Sequence, residues 1–111
     1  MENMQKYVGA FVRVGNEFGM IDQVNKWGLG FVTQTPNLRH ARIVQPNEVA
    51  PLTKQEEIMN ARGAAVLYFT SEASEMQARL DANHPVDRGN EANIKKWRDY
   101  CMGWAEKLLG A

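Results

Sequence analysis

The chain has 111 residues, 44% of them apolar and 23% charged, with 13 basic and 13 acidic side chains. That length suits one domain with one core, and zero net charge excludes a global field drawing the protein toward nucleic acid or anionic membrane. The balance holds locally, with five basic and four acidic residues up to Ala50 and eight and nine beyond it.

At the start, residues 1–6 lack a charged segment leading into an apolar one, so no leader or anchor is expected. Residues 7–14, 18–24, 29–35 and 38–44 are short, alternating apolar runs and predict four strands in a meander. Gly15-Asn16, Asn25-Lys26-Trp27-Gly28 and Thr35-Pro36-Asn37 supply the reversals, since Gly and Asn tolerate positive φ and Pro presets a turn. In the first strand Val8, Ala10, Val12 and Val14 share the expected core face, with Phe11 and Arg13 opposite. The glycines at 9, 19, 28 and 30 suit a sheet that bends sharply. Residues 45–52 then predict a turn and either a very short fifth strand or a single helical turn.

Residues 7–52 resemble the SH3-like small barrels, including KOW and Tudor-type relatives, in the order of their parts. An apolar strand is followed by a Gly-bounded hairpin with Phe18-Gly19-Met20-Ile21, two more strands, and the closing Val44-Gln45-Pro46-Asn47-Glu48-Val49. The resemblance implies a closed five-stranded barrel and a module that binds RNA, DNA, peptides or polymerase-type machines rather than a catalyst. For the aromatic cage of some Tudor-type relatives, Tyr7, Phe11, Phe18, Trp27 and Phe31 are the available rings.

The chain changes character at Pro51-Leu52-Thr53. Thr53-Lys54-Gln55-Glu56 reads as a capping box, and Met59, Arg62, Val66, Phe69, Ala73, Met76 and Leu80 then line one helical face to about residue 82. Ile58 and Met59 are expected to fold back onto the barrel. The run 64–69, the longest apolar stretch, is far too short to span a bilayer and has an extra strand as its alternative reading. Asn83-His84-Pro85 ends the helix. A second helix begins with Asn90 as N-cap, places Glu91 and Lys95 as an i,i+4 pair, and ends at Gly110. Its apolar face is Ile94, Trp97, Cys101, Trp104 and Leu108, and the short link at 84–89 makes the two helices an antiparallel hairpin.

Few residues suggest chemistry. His40, His84 and Cys101, even with Asp22 or Asp87, show no metal-ligand spacing, and no Gly-rich phosphate loop is present. No cofactor, metal or catalytic residue is expected. Cys101, the single cysteine, excludes an internal disulfide, reads as a core residue, and fits a reducing, cytoplasmic location. Two surfaces stand out. Lys26 and Trp27, with Arg39, His40 and Arg42 on the fourth strand, would hold a phosphate and stack a base. The pleat points Arg39 away from His40 and Arg42, and the alternative is an edge strand protected by charge. On the second helix, Trp97, Tyr100, Met102 and Trp104 would form a protein interface, a homodimer being the simplest case, unless they are buried within the monomer.

The sequence therefore predicts an α+β fold: an SH3-like antiparallel barrel at 7–52 packed against an antiparallel helical hairpin at 53–109, in one domain over 1–111. The expected function is non-enzymatic binding of a protein partner, as in an adaptor, inhibitor or accessory protein of a phage or mobile element. Nucleic-acid binding through the barrel patch is the alternative, and no membrane partner is expected.

Overall fold

A computed structural model of the chain describes residues 4–110. It is α+β, with a five-stranded antiparallel sheet followed by two helices. The strands are β1 (Phe11–Val14), β2 (Glu17–Asn25), β3 (Gly28–Gln34), β4 (Arg39–Val44) and β5 (Val49–Pro51), and the helices are α1 (Gln55–Ala82) and α2 (Glu91–Gly110). The strand order is β4-β3-β2-β1-β5: the meander forms as the turn residues predict, and β5 returns to pair with β1. Among the described residues the sheet stays open, with β4 and β5 as its edges.

The first strand is shorter than predicted. Residues Met4–Tyr7 form a 3-10 turn and Gly9 takes φ +89°, a conformation that interrupts extended backbone. The segment still follows β2, because Gly9 N–H donates to Ile21 O at 2.8 Å and Ile21 N–H donates to Ala10 O at 3.1 Å. Residue 8 is consequently only half-buried, while Val12 and Val14 are core.

One face of the sheet gathers Val12, Val14, Ile21, Leu29, Phe31 and Val44, rimmed by Met4, Tyr7, Ala10, Val24 and Val49. The other face buries Met20 and Val32, which are paired across β2 and β3. With both faces covered, residues 28–33 are buried without alternation. A register shift between Ile21 and Gln23 marks a bulge at the buried Asp22, the irregularity that bends a strand.

By compactness the chain forms two units, one ending at Tyr68 and the other starting at Phe69, so the division falls inside α1 and not at Pro51–Thr53. In the first unit α1 starts one residue later than the capping box requires. Lys54 O accepts from Ile58 N–H at 3.0 Å, which makes Lys54 the N-cap in place of Thr53. Residues 64–69 are helical throughout, which removes the extra-strand reading. Arg62 Cζ sits 5.4 Å from the centroid of Phe11 and ties this part of the helix to β1. The buried row is Ala61, Ala65 and Tyr68, whereas Met59 is 62% exposed and Ile58 half-buried, so Met59 does not fold back onto the sheet. The pattern reading favoured the larger side chains at 59, 62 and 66, but the methyl-sized residues at 61 and 65 are the ones fully buried.

In the second unit Phe69, Ala73 and Met76 of α1 are buried as predicted, along with Ile94, Cys101, Ala105 and Leu108 of α2. Asn83 at φ +49° ends α1 in the left-handed region. Asn90 O accepts from Ile94 N–H at 3.1 Å and opens α2, while Glu91 turns back to accept from Gly89 N–H at 2.8 Å. Phe69 meets Trp104, whereas Glu72 and Gln77, further along α1, meet Trp97 and Arg98, earlier on α2, so this pair is antiparallel.

The link between the helices is clamped by Arg79, whose Nη2 lies 2.6 Å from Asp87 Oδ1 and whose Nε lies 3.4 Å from Oδ2. The Asp87 side chain is only 12% exposed, and the bond from Arg79 holds its carboxyl below the ordinary range, against the opposing effect of desolvation. A depressed folded-state pKa means that the unfolded chain takes up the proton first as pH falls. The contribution is therefore complete above the usual carboxylate value, about 3.9, and disappears as pH falls through the lower folded value. We expect the urea-midpoint gap between wild type and Asp87→Asn to be constant near neutrality and to narrow below about pH 4. A gap that is constant down to pH 2 would show that the clamp is not electrostatic.

Candidate binding surface

Trp27 occupies the β2–β3 turn, and its backbone is fixed from several sides. Its N–H donates to Asn25 Oδ1 at 2.8 Å, its carbonyl accepts from Gln45 Nε2 at 2.7 Å, and Gly28 follows at φ +142°. Gln45 is itself fixed, because its N–H donates to Glu48 Oε2 at 2.6 Å while Glu48 N–H donates to Gln45 O at 2.9 Å. The indole nevertheless remains 66% exposed, with Lys26 Nζ 4.6 Å from its ring centroid.

Next to this turn runs the outer strand β4. A Cβ on Gly28 would lie 3.0 Å from Ile43 Cγ2, so Ile43 borders the Trp27 turn directly. Ile43 is 45% exposed, and Leu38, in the turn before β4, is also exposed. An exposed isoleucine beside an exposed, backbone-anchored tryptophan is the most prominent apolar feature of this sheet.

The five predicted ligand residues divide into three groups. Lys26 and Trp27 stay together. His40 and Arg42 pair with Thr33 and Phe31, which puts them on the core face, where both converge on Glu17: His40 Nε2 is 3.0 Å from Oε2 and Arg42 Nη2 is 3.0 Å from Oε1. The Arg42 guanidinium also lies 5.6 Å from the Phe31 centroid. The His40 contact is one of proximity only, since its geometry is not that of a hydrogen bond. Arg39 pairs with Gln34 and takes the opposite face, as the pleat requires. Glu17 was not singled out from the sequence, and only the register across three strands shows that it meets β4. The aromatic cage does not form, because Phe31 is fully buried on the core face whereas Phe11 lies on the other with Met20.

On α2, three of the four proposed interface residues form a continuous ring system. Phe69 stacks on Trp104 at 6.0 Å and meets Tyr100 edge-on at 6.5 Å, while Trp97 stacks on Tyr100 at 5.2 Å and donates from Nε1 to Glu72 at 3.2 Å. Trp97 and Trp104 are half-buried in this arrangement. Met102 is separate: it is exposed and borders a shallow groove of about 340 Å³ with Ala73, Gln77, Arg98 and Ala105.

Cys101 is fully buried and presents no surface to a substrate. His84 Nδ1 accepts from Val86 N–H at 3.3 Å in the interhelical link. Among the described residues no group of three His, Cys, Asp or Glu side chains could hold a metal ion, and no helix is long and apolar enough to cross a membrane. Compared with protein-family models, with curated proteins and with solved structures, the chain gave no match.

Proposed function

We propose that this chain is a non-enzymatic binding protein whose partner is another protein, engaged through the Trp27 turn and the adjoining β4 edge. The observation that carries the reading is the combination at Trp27 of an exposed indole and a backbone held by Asn25 and Gln45. An anchor ordered in advance loses little conformational freedom on binding, and tryptophan is enriched among residues that dominate interface energies. We read the sheet as an SH3-like small barrel of the KOW and Tudor type. The four-strand meander, the return of β5 onto β1 and the bulge in β2 support this. The cytoplasmic setting rests on the lone, buried thiol. Nucleic-acid binding has weaker support, because His40 and Arg42 share one carboxylate and Lys26 is stacked on the ring that would receive a base.

Quantitative capture from the native host, with wild type and Trp27→Ala compared, tests the reading. Loss of about 2 kcal/mol from a central tryptophan lowers affinity roughly thirtyfold, so a protein partner is recovered by wild type and lost by the variant, with the melting temperature unchanged. Equal recovery by both would remove Trp27 from the interface. Recovery of nucleic acid that falls steeply with salt would favour the other reading.

A further inference from the structure

Three arginines lie against acids: Arg42 on Glu17, Arg79 on Asp87 and Arg98 on Asp99. Among the described residues Arg62 has no such partner. Its guanidinium stands 5.4 Å from the Phe11 centroid, and its Nε is enclosed without a hydrogen-bond acceptor. The ring contact offsets part of the cost of burying a cation but satisfies none of the in-plane N–H groups. An enclosed N–H left without an acceptor is a net loss. The helix itself supplies no acid here, because the positions set beside residue 62 are Ile58, Met59, Ala65 and Val66.

Arg13 likewise meets no acid among the described residues. It lies two residues from Phe11 on the same face of β1, roughly 7 Å along the strand, a spacing that long side chains bridge. Opposite it on the two flanking strands are Phe18 and Ala50, and Glu48, just before β5, is bound to Gln45 N–H. Arg13 is exposed, and the Nη ends of Arg62 are not enclosed as its Nε is. We infer that Arg13 and Arg62 together bind a phosphate monoester, whose two charges match the two guanidinium groups and whose oxygens accept from both. Arg13 pairs at the start of β2 whereas Trp27 follows its end, so this site is separate from the Trp27 surface and goes beyond the protein-binding reading.

The test follows the arginine Nε–Hε resonances of the isotope-labelled full chain while methyl phosphate is added at constant ionic strength, well above pH 6, where the monoester is a dianion. The resonances lost in Arg13→Lys and in Arg62→Lys identify the two groups. Both are expected to move saturably with one shared dissociation constant, while that of Arg88 stays in place. Arg13→Gln and Arg62→Gln should each weaken binding at least about tenfold, Arg88→Gln should not, and acetate should bind wild type at least about tenfold more weakly than methyl phosphate. Arg62→Met keeps a side chain on the Phe11 ring, so it is expected to match wild type in stability without the monoester and still to lose the binding. No movement at millimolar methyl phosphate, unsaturable movement of every arginine resonance, or acetate binding as well as the monoester would each overturn the inference. So would a folded Arg62→Met protein that binds like wild type.

Discussion

Gly19→Ala is expected to destabilise the protein by about 3 kcal/mol, the upper part of the range for overpacking a filled interior. A Cβ on Gly19 would run into the carbonyl oxygen of Val32 and press on Phe31 and Thr33. The main obstacle is backbone, and Val32 is held by its pairing with both Met20 and Ala41, so no side-chain rotation relieves the clash. The same substitution at Gly63 should have the opposite sign. Gly63 lies within α1 with open space where its Cβ would go, and alanine there is expected to stabilise by roughly 0.5–1 kcal/mol through helix propensity. Urea midpoints with unchanged slopes would measure both. A Gly19→Ala protein within about 0.5 kcal/mol of wild type would show that β2 and β3 can separate there, and the packing account would fail.

Phe69→Ala should be as damaging, at about 4 kcal/mol. The ring is fully buried and organises its unit, stacking on Trp104 with a 13° interplanar angle and meeting Tyr100 edge-on. Removing it leaves a cavity and takes a stacking partner from two half-buried aromatic side chains. Against a total stability of about 5–15 kcal/mol for a domain of ordinary size, much of the margin goes. Phe69→Leu keeps most of the volume and is expected to cost about 1.5 kcal/mol. Near-ultraviolet circular dichroism should change in both variants, because each removes the ring beside Trp104. Equal stability losses in the two would show that the ring contacts, not the filled volume, carry the effect.

What was legible in the sequence follows from how local each signal is. The extents of β2, β3 and β4 came through because Asn16, Asn25, Gly28 and Pro36 set turns at short range. The α1 end at Asn83 and the α2 start at Asn90 are likewise local. The 3-10 start was missed because Gly9 sits inside an apolar run whose alternation reads as strand. Burial of Ala61 and Ala65 was missed because a hydrophobicity pattern ranks residues by size, whereas close packing ranks them by fit. At the candidate site, an exposed Trp27 between turn residues could be read directly. The Glu17 contacts and the Gln45 bond to Trp27 span strands that the chain brings together only after folding. Arg39 fell on the far face as the strand period requires, the one part of the basic cluster that local geometry settled.

The two edges of the sheet, β4 and β5, are unequal, and this bears on how sheets of this kind add to one another. Head-to-tail growth of a sheet needs an open strand at each side of every copy, because each added molecule must present the next pairing edge. Among the described residues β4 is the one long edge, and the other, β5, has three residues ending in a proline. Growth of that kind therefore finds one long pairing edge per molecule, not two. The inequality of the two edges thus limits the fibre growth to which exposed edges are otherwise prone.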